Sequence, residues 1–186
     1  MDVLSGLTLA APAGLNAYIP LLALALAERF GWVHLRPPFD GLGSWWIIAL
    51  VAVLLLVEVV ADKVPAVDHA NDVVQTVVRP AAGGLLAVSA SHQGTVEPLV
   101  LLIAGILIAG GVHAVKATSR PAVNVSTAGV GAPVVSTLED VVAVIGTVLA
   151  LLVPVLAAVL IVAAVIAFLL WVRRFRRRLR RSTLAP

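Results

Sequence analysis

Apolar positions along this chain gather into long blocks instead of alternating or marking one helical face. Four blocks approach the length that crosses a hydrocarbon core of roughly 30 Å, which takes about 20 helical residues. They cover residues 4–27, 44–61, 98–115 and 138–172. A weaker block covers residues 73–91, with Arg79-Pro80 near its middle. The pattern predicts an all-α, polytopic helical membrane protein, with residues 1–172 as one transmembrane domain and 173–186 as a basic tail.

The last block would make about 52 Å of helix at ~1.5 Å per residue, too long for one simple span. Pro154 lies near its centre, where a missing N–H donor kinks or ends a helix. Either two short helices turn back there, giving about six spans, or one long kinked helix gives about five. No Gly, Asn or Asp stands beside Pro154, which counts against a tight hairpin. Charge arbitrates. With the turn at Pro154, 11 of the 13 Lys and Arg residues fall on the tail's side, leaving Arg29 and Arg36 opposite. The positive-inside rule therefore favours six spans, a multi-pass cell-membrane location and both termini in the cytoplasm. Trp45 and Trp46 open the second block and Trp171 closes the last, as an aromatic belt requires.

Composition sharpens this. Hydrophobic residues make up 61% of the 186 and charged residues 12%, and mean hydropathy is +1.07. That leaves too little polar surface for a soluble fold. The first charge is Asp2 and no basic region precedes the first block, so it reads as a retained helix and not as a signal peptide. There is no cysteine, which excludes disulfides and thiolate metal sites. Seven of the basic residues lie between Arg173 and Arg181, and the rest of the chain is net negative.

Two polar connectors carry the candidate chemistry. The first runs from Glu58 through Asp62, Lys63, Asp68 and Asp72 to Arg79-Pro80 and Gly83-Gly84. The second runs from His113 through Lys116, Arg120-Pro121 and Asn124 to Ser136 and Glu139. Both carry Lys, then Arg-Pro, and lead into another apolar block. Residues 11–17 echo the Pro-Ala-Ala-Gly and Pro-Ala-Val-Asn segments, which raises degenerate helical-hairpin repeats.

Gly14-Leu15-Asn16-Ala17, Glu58-x-x-Ala61-Asp62-Lys63-x-Pro65-x-x-Asp68, Arg79-Pro80-x-x-Gly83 and Lys116-x-x-x-Arg120-Pro121-x-x-Asn124 carry a resemblance. Together they resemble an uncharacterised bacterial membrane family, the domain of unknown function numbered 4126. The resemblance covers nearly all the chain except the tail. It implies a bacterial multi-spanning protein and supplies no activity.

Glu58 with Asp62, and Asp68 with Asp72, are like-charged pairs four residues apart, sharing a helix face and repelling. Such pairs call for nearby cations, bound ions or shared protons. Lys63 and Arg79 are the nearest cations in sequence, with Lys63 expected as counter-ion to Glu58 and Asp62. Hard oxygen ligands of this kind suit Mg²⁺, Ca²⁺, Na⁺ or a proton, and the identity of any metal stays open. Lys116, Arg120 and Asn124 are expected to line a path or engage an anionic group. The alternative is an ordinary loop, with Ser136 and Glu139 forming a capping box at the next helix. Gly14, Asn16, Gly105 and Gly110 read as close-packing positions, with Asn16 able to bond across an interface. Arg173, Arg174, Arg176 and Arg177 read as anchors for anionic lipid headgroups. Nothing accompanies these arginines to suggest nucleic acid.

No phosphate loop, His-Glu-x-x-His or nucleophile elbow is present, which argues against an enzyme while leaving intramembrane catalysis by Asp, His or Ser open, and no cofactor is expected. The expectation is a small homo-oligomeric transporter or channel for an ion or small charged solute. A non-transporting scaffold or lipid-binding subunit is the alternative, and handling of phosphate-bearing lipid is a third.

Overall fold

A computed structural model describes residues 3–63, 65–89, 96–127 and 130–182. Among these the chain is all-helical: α1 (Val3–Ala13), α2 (Tyr18–Arg29), a 3₁₀ turn (Phe39–Gly43), α3 (Trp45–Ala61), α4 (Pro65–Ser89), α5 (Pro98–Ser126), α6 (Ala132–Leu152) and α7 (Pro154–Ser182). Three stretches, Pro98–Val123, Ala132–Leu152 and Pro154–Arg174, are long and apolar enough to cross a membrane, and α1 and α3 are shorter apolar helices. The weak block joins the upstream connector in α4, a single helix that carries Pro80 internally.

The first apolar block is not one helix. Pro12 has no N–H to give to a helical ladder. The turn then tightens, with Gly14 N donating to Ala11 O at 3.1 Å and Leu15 N to Pro12 O at 3.0 Å. Asn16 Oδ1 restarts the helix by accepting from the N–H groups of Tyr18 (3.1 Å) and Ile19 (3.3 Å). This is the bonding of an N-cap side chain.

The two halves double back. Gly6 lies against Ala87 near the C-terminal end of α4, and Gly14 lies against Ala109 and Val112 of α5. Asn16 meets Asp140 near the start of α6. Along α2 the chain returns, so that Gly43 touches Glu28 and Arg29 and the Arg29 guanidinium stacks over Trp45 at 4.8 Å. The pair α1–α2 is thus a helical hairpin whose tip is Gly14–Ala17.

Small residues seat this hairpin. A Cβ on Gly6 would stand 2.6 Å from Ala87 O, and one on Gly14 would stand 2.5 Å from Ala109 O. The α4–α5 pair is as close: a Cβ on Gly83 would stand 2.7 Å from Gly105 O, and one on Gly105 would collide with Gly83 O. Backbones approach this closely only where side chains are missing. Gly110 is less confined, since a Cβ there would meet Pro80 at 3.5 Å, an ordinary contact.

Helices α6 and α7 turn back at Val153, whose φ of −141° and ψ of 69° leave the helical region. Val142 and Val165 line one cavity, as do Leu149 and Ala157. On a continuous helix Val142 and Val165 would be roughly 34 Å apart. The turn at Pro154 therefore forms without the small polar residues that usually mark one. The Pro12, Pro80 and Pro121 segments differ locally, because the helix breaks soon after Pro12 but runs through Pro80 and Pro121.

This path places Val3 and the Arg173 tail at opposite ends of the bundle. The expectation that both termini share one side treated the first apolar block as a crossing. In the structure that block is a hairpin of two short helices that begins and ends at the same end of the bundle. The connectors at Asp62 and Thr127 stay on the tail's end, so the asymmetry of basic residues is unchanged.

Candidate functional site

Glu58 and Asp62 close the last turn of α3, four residues apart on one face. Arg79 points from α4, and His113, Lys116 and Arg120 form an i, i+3, i+7 row on α5. Glu139 and Asp140 come from α6. The packing of these helices around the hairpin tip brings the row and the carboxylates into one cage.

Asp62 is its centre. Its Oδ2 accepts from Lys116 Nζ at 2.8 Å and Arg120 Nη2 at 3.4 Å, with Arg79 Nη2 at 3.7 Å. Its Oδ1 accepts from Asn71 Nδ2 at 2.8 Å. Glu139 Oε2 bridges Arg120 at 2.5 Å and Lys116 at 3.1 Å. Lys116 Nζ also donates to Leu15 O at 3.0 Å, a carbonyl exposed by the hairpin break. Asn16 Nδ2 donates to Asp140 Oδ1 at 3.0 Å. The tip is therefore pinned to the cage at two successive residues.

Arg79 forks between two partners. Nη2 donates to Glu58 Oε1 at 2.7 Å, and Nη1 lies 2.9 Å from His113 Nδ1. His113 Nε2 lies 3.1 Å from Thr76 Oγ1, whose hydroxyl is given to Asp72 O at 2.8 Å. A donating arginine and an already committed hydroxyl assign His113 the neutral form with the proton on Nε2.

Glu58, Asp62, Arg79, Lys116 and Arg120 are each 3% exposed or less. Three carboxylates (Glu58, Asp62, Glu139) face three cations (Arg79, Lys116, Arg120). The like-charged pairs in the sequence, Glu58 with Asp62 and Lys116 with Arg120, are thus stabilised by interleaving with each other.

Other positions fall differently. Lys63 is not the counter-ion of Glu58 and Asp62. Its ammonium donates to Val59 O at 3.0 Å and reaches Asp140 only at 3.9 Å, with the side chain 37% exposed. The expected capping box does not form, because α6 begins at Ala132. Ser136 lies inside the helix with a buried hydroxyl that has no partner, and Glu139 turns to the cage. Asp72 is half-buried with Oδ1 unpartnered. Arg173 and Arg174 are exposed on α7. The side chains of Asp68, Asn124, Arg176 and Arg177 lie outside the described ones. Glu139, Asp140, Asn71, Gln75 and Tyr18 join the site without having been singled out for it. The signal for Glu139-Asp140 was present, since two acids open an apolar block just as Glu58 and Asp62 close one.

Among the described residues no group of three His, Asp or Glu could hold a metal ion. A cavity of about 370 Å³ lies beside the cage, between α1, α6 and α7, and its walls are apolar, including Pro12, Leu15, Ile145 and Ile161. A family model described as a domain of unknown function (DUF4126) matches residues 3–174. No curated protein and no solved structure matches the chain.

Proposed function

We propose a role for this chain, which belongs to the DUF4126 family of unknown function, from its buried charges: it is a small membrane transporter for an ion or small charged solute. The observation that carries this reading is the cage, with five ionisable side chains almost fully buried at the tip of a re-entrant hairpin. Replacing a buried ion-pair network by well-packed apolar residues is often neutral or stabilising, so packing alone gives little reason for one. Ionisable groups at membrane depth mark ion and substrate paths. Broken helices with exposed carbonyls build such sites in many transporters.

Depth supports the reading. From Trp45 to Glu58, and from Glu139 to Leu152, is about 20 Å of helix at roughly 1.5 Å per residue. Against a hydrocarbon core of roughly 30 Å, with Trp45 and Leu152 taken near the far interface, this supports a cage within the bilayer. The cage is closed, and the neighbouring cavity is apolar. Alternating exposure suits this better than an open channel. In this reading the tail faces the cytoplasm, Arg173 and Arg174 hold anionic headgroups, the N-terminus faces the opposite side, and the protein assembles as a homo-oligomer.

One observation favours a second reading. The charges balance, so the cage works equally as a fastener in a non-transporting scaffold. Handling of phosphate-bearing lipid has no comparable support, because Arg79, Lys116 and Arg120 are all engaged by carboxylates. Ion and solute flux into vesicles separates the readings. Flux that Glu58→Gln and Lys116→Met abolish supports transport. A silent wild type that co-purifies with a partner at fixed stoichiometry supports the scaffold.

A further inference from the structure

One carboxylate oxygen of the cage has no hydrogen-bond donor. Glu58 uses Oε1 for Arg79, and its Oε2 is buried with no hydrogen-bond partner. Gln75 Oε1, also buried, and Asp72 Oδ1 are in the same state on one face of α4. Tyr18 of α2 is close enough to Gln75 and Glu58 to feel both electrostatically. A buried acceptor without a donor is destabilising, more so when it is charged. Of these oxygens, Glu58 Oε2 belongs to a carboxylate already within the cage, and a hydrogen or a positive charge there would satisfy it.

We infer that Glu58 is the proton-loading residue of the site and that its protonation frees Arg79 to hold a small inorganic anion. This rests on the transport reading and names its coupling ion and substrate class. The step balances simply: Oε2 takes a proton from hydronium, water leaves, and the carboxylate becomes a neutral carboxylic acid that can donate a hydrogen bond.

A proton fits where a metal ion does not. The Arg79 guanidinium is already 2.7 Å from the same carboxylate, so a metal there would meet a second cation at close range. Among the described residues no group of three ligands gathers. A proton needs no cavity, and Glu58 is 1% exposed.

Charge then dictates the consequence. Before protonation three carboxylates balance three cations; afterwards two face three. The next carboxylate for Arg79 is Asp62, at 3.7 Å, and Asp62 already serves Lys116 and Arg120. A buried cation without a counter-charge is strongly unfavourable, and an anion beside Arg79 relieves it. Proton and anion arriving together leave the site neutral. The groups facing Glu58 are Tyr18 from α2, Asp62 on its own helix, Arg79 from α4 and Lys116 from α5. His113 stands behind Arg79. A charged His113 would also repel Arg79, so the test has to separate the two residues.

Infrared difference spectra of the purified protein in lipid nanodiscs do so, because a protonated carboxyl has its own C=O stretch. Acidification should raise that band in the wild type. Glu58→Gln should remove it, and His113→Gln and Asp72→Asn should keep it. Glu58→Asp should shift the band, which covers the case where Glu58→Gln fails to fold. Added chloride or inorganic phosphate should raise the pH at which the band appears, since an anion favours the protonated form. A band that survives in Glu58→Gln overturns the proton assignment, and a midpoint indifferent to both anions overturns the anion assignment. Vesicles loaded with a pH dye test the parent reading separately. A Glu58 band without proton movement removes transport but leaves the proton site standing, whereas solute flux without a Glu58 band removes the proton site but leaves transport standing.

Discussion

Replacing Lys116 by methionine keeps the length and apolar stem of the side chain and removes its charge. Three acceptors lose a donor: Asp62 Oδ2 at 2.8 Å, Glu139 Oε2 at 3.1 Å and Leu15 O at 3.0 Å. Arg120 still reaches both carboxylates, so neither is left bare. The cage nonetheless passes from balanced to one net negative charge, with most of its members 3% exposed or less. Breaking a buried pair by removing one partner destabilises by about 3–5 kcal/mol. Hydrogen bonds between membrane helices are weaker than this, averaging about 0.6 kcal/mol, so the lower end is expected, about 3 kcal/mol. Lys63→Met is the control. Among the described residues its ion pair is at 3.9 Å on a side chain 37% exposed, where solvent screening leaves less than about 1 kcal/mol. Denaturant unfolding in mixed micelles measures both. Lys116→Met with Glu139→Gln should recover part of the loss by restoring charge balance. A Lys116→Met variant no less stable than Lys63→Met would refute the claim that the cage is a buried, charge-balanced network.

Further outcomes follow from packing and topology. Gly105→Ala should destabilise by about 1–3 kcal/mol through overpacking against Gly83 and Ala87. Gly111→Ala, with nothing within 4 Å of its added Cβ, should be neutral or stabilise by up to about 1 kcal/mol through helix propensity; thermal unfolding of both variants checks the contrast. Asn16→Ala should destabilise by about 0.5–2 kcal/mol from the lost cap alone, and Asn16→Asp should be worse despite keeping the cap, because it sets a carboxylate 3.0 Å from Asp140; the same unfolding assay ranks them. Reporters fused to each terminus should sit on opposite sides of the membrane, and reporters on one side would contradict the re-entrant hairpin.

Much of this architecture is legible in residue types. Long apolar blocks announce the helices, and Glu58, Asp62, Arg79, Lys116 and Arg120 stand out as charges beside or within them. Partner choice is not legible. Lys63 adjoins Asp62 in sequence, yet the C-terminal turn of α3 points it toward Val59 O and Asp140 while Arg79, Lys116 and Arg120 arrive from distant helices. Ser136 and Glu139 have capping-box spacing, but α6 starts four residues earlier and Glu139 serves Arg120 instead. The hairpin tip left a signal in Pro12, Gly14 and Asn16. That signal was masked because the block around it is apolar enough to read as one continuous span.

The central claim is that the cage at the hairpin tip moves a charged solute. The most direct measurement is charge and solute movement across vesicles containing the purified protein, compared between wild type, Glu58→Gln and Lys116→Met, with Gly111→Ala as the folded control. The account predicts movement in the wild type and Gly111→Ala that falls to the level of protein-free vesicles in both cage variants. Wild-type movement that persists undiminished in folded Glu58→Gln and Lys116→Met protein would contradict it.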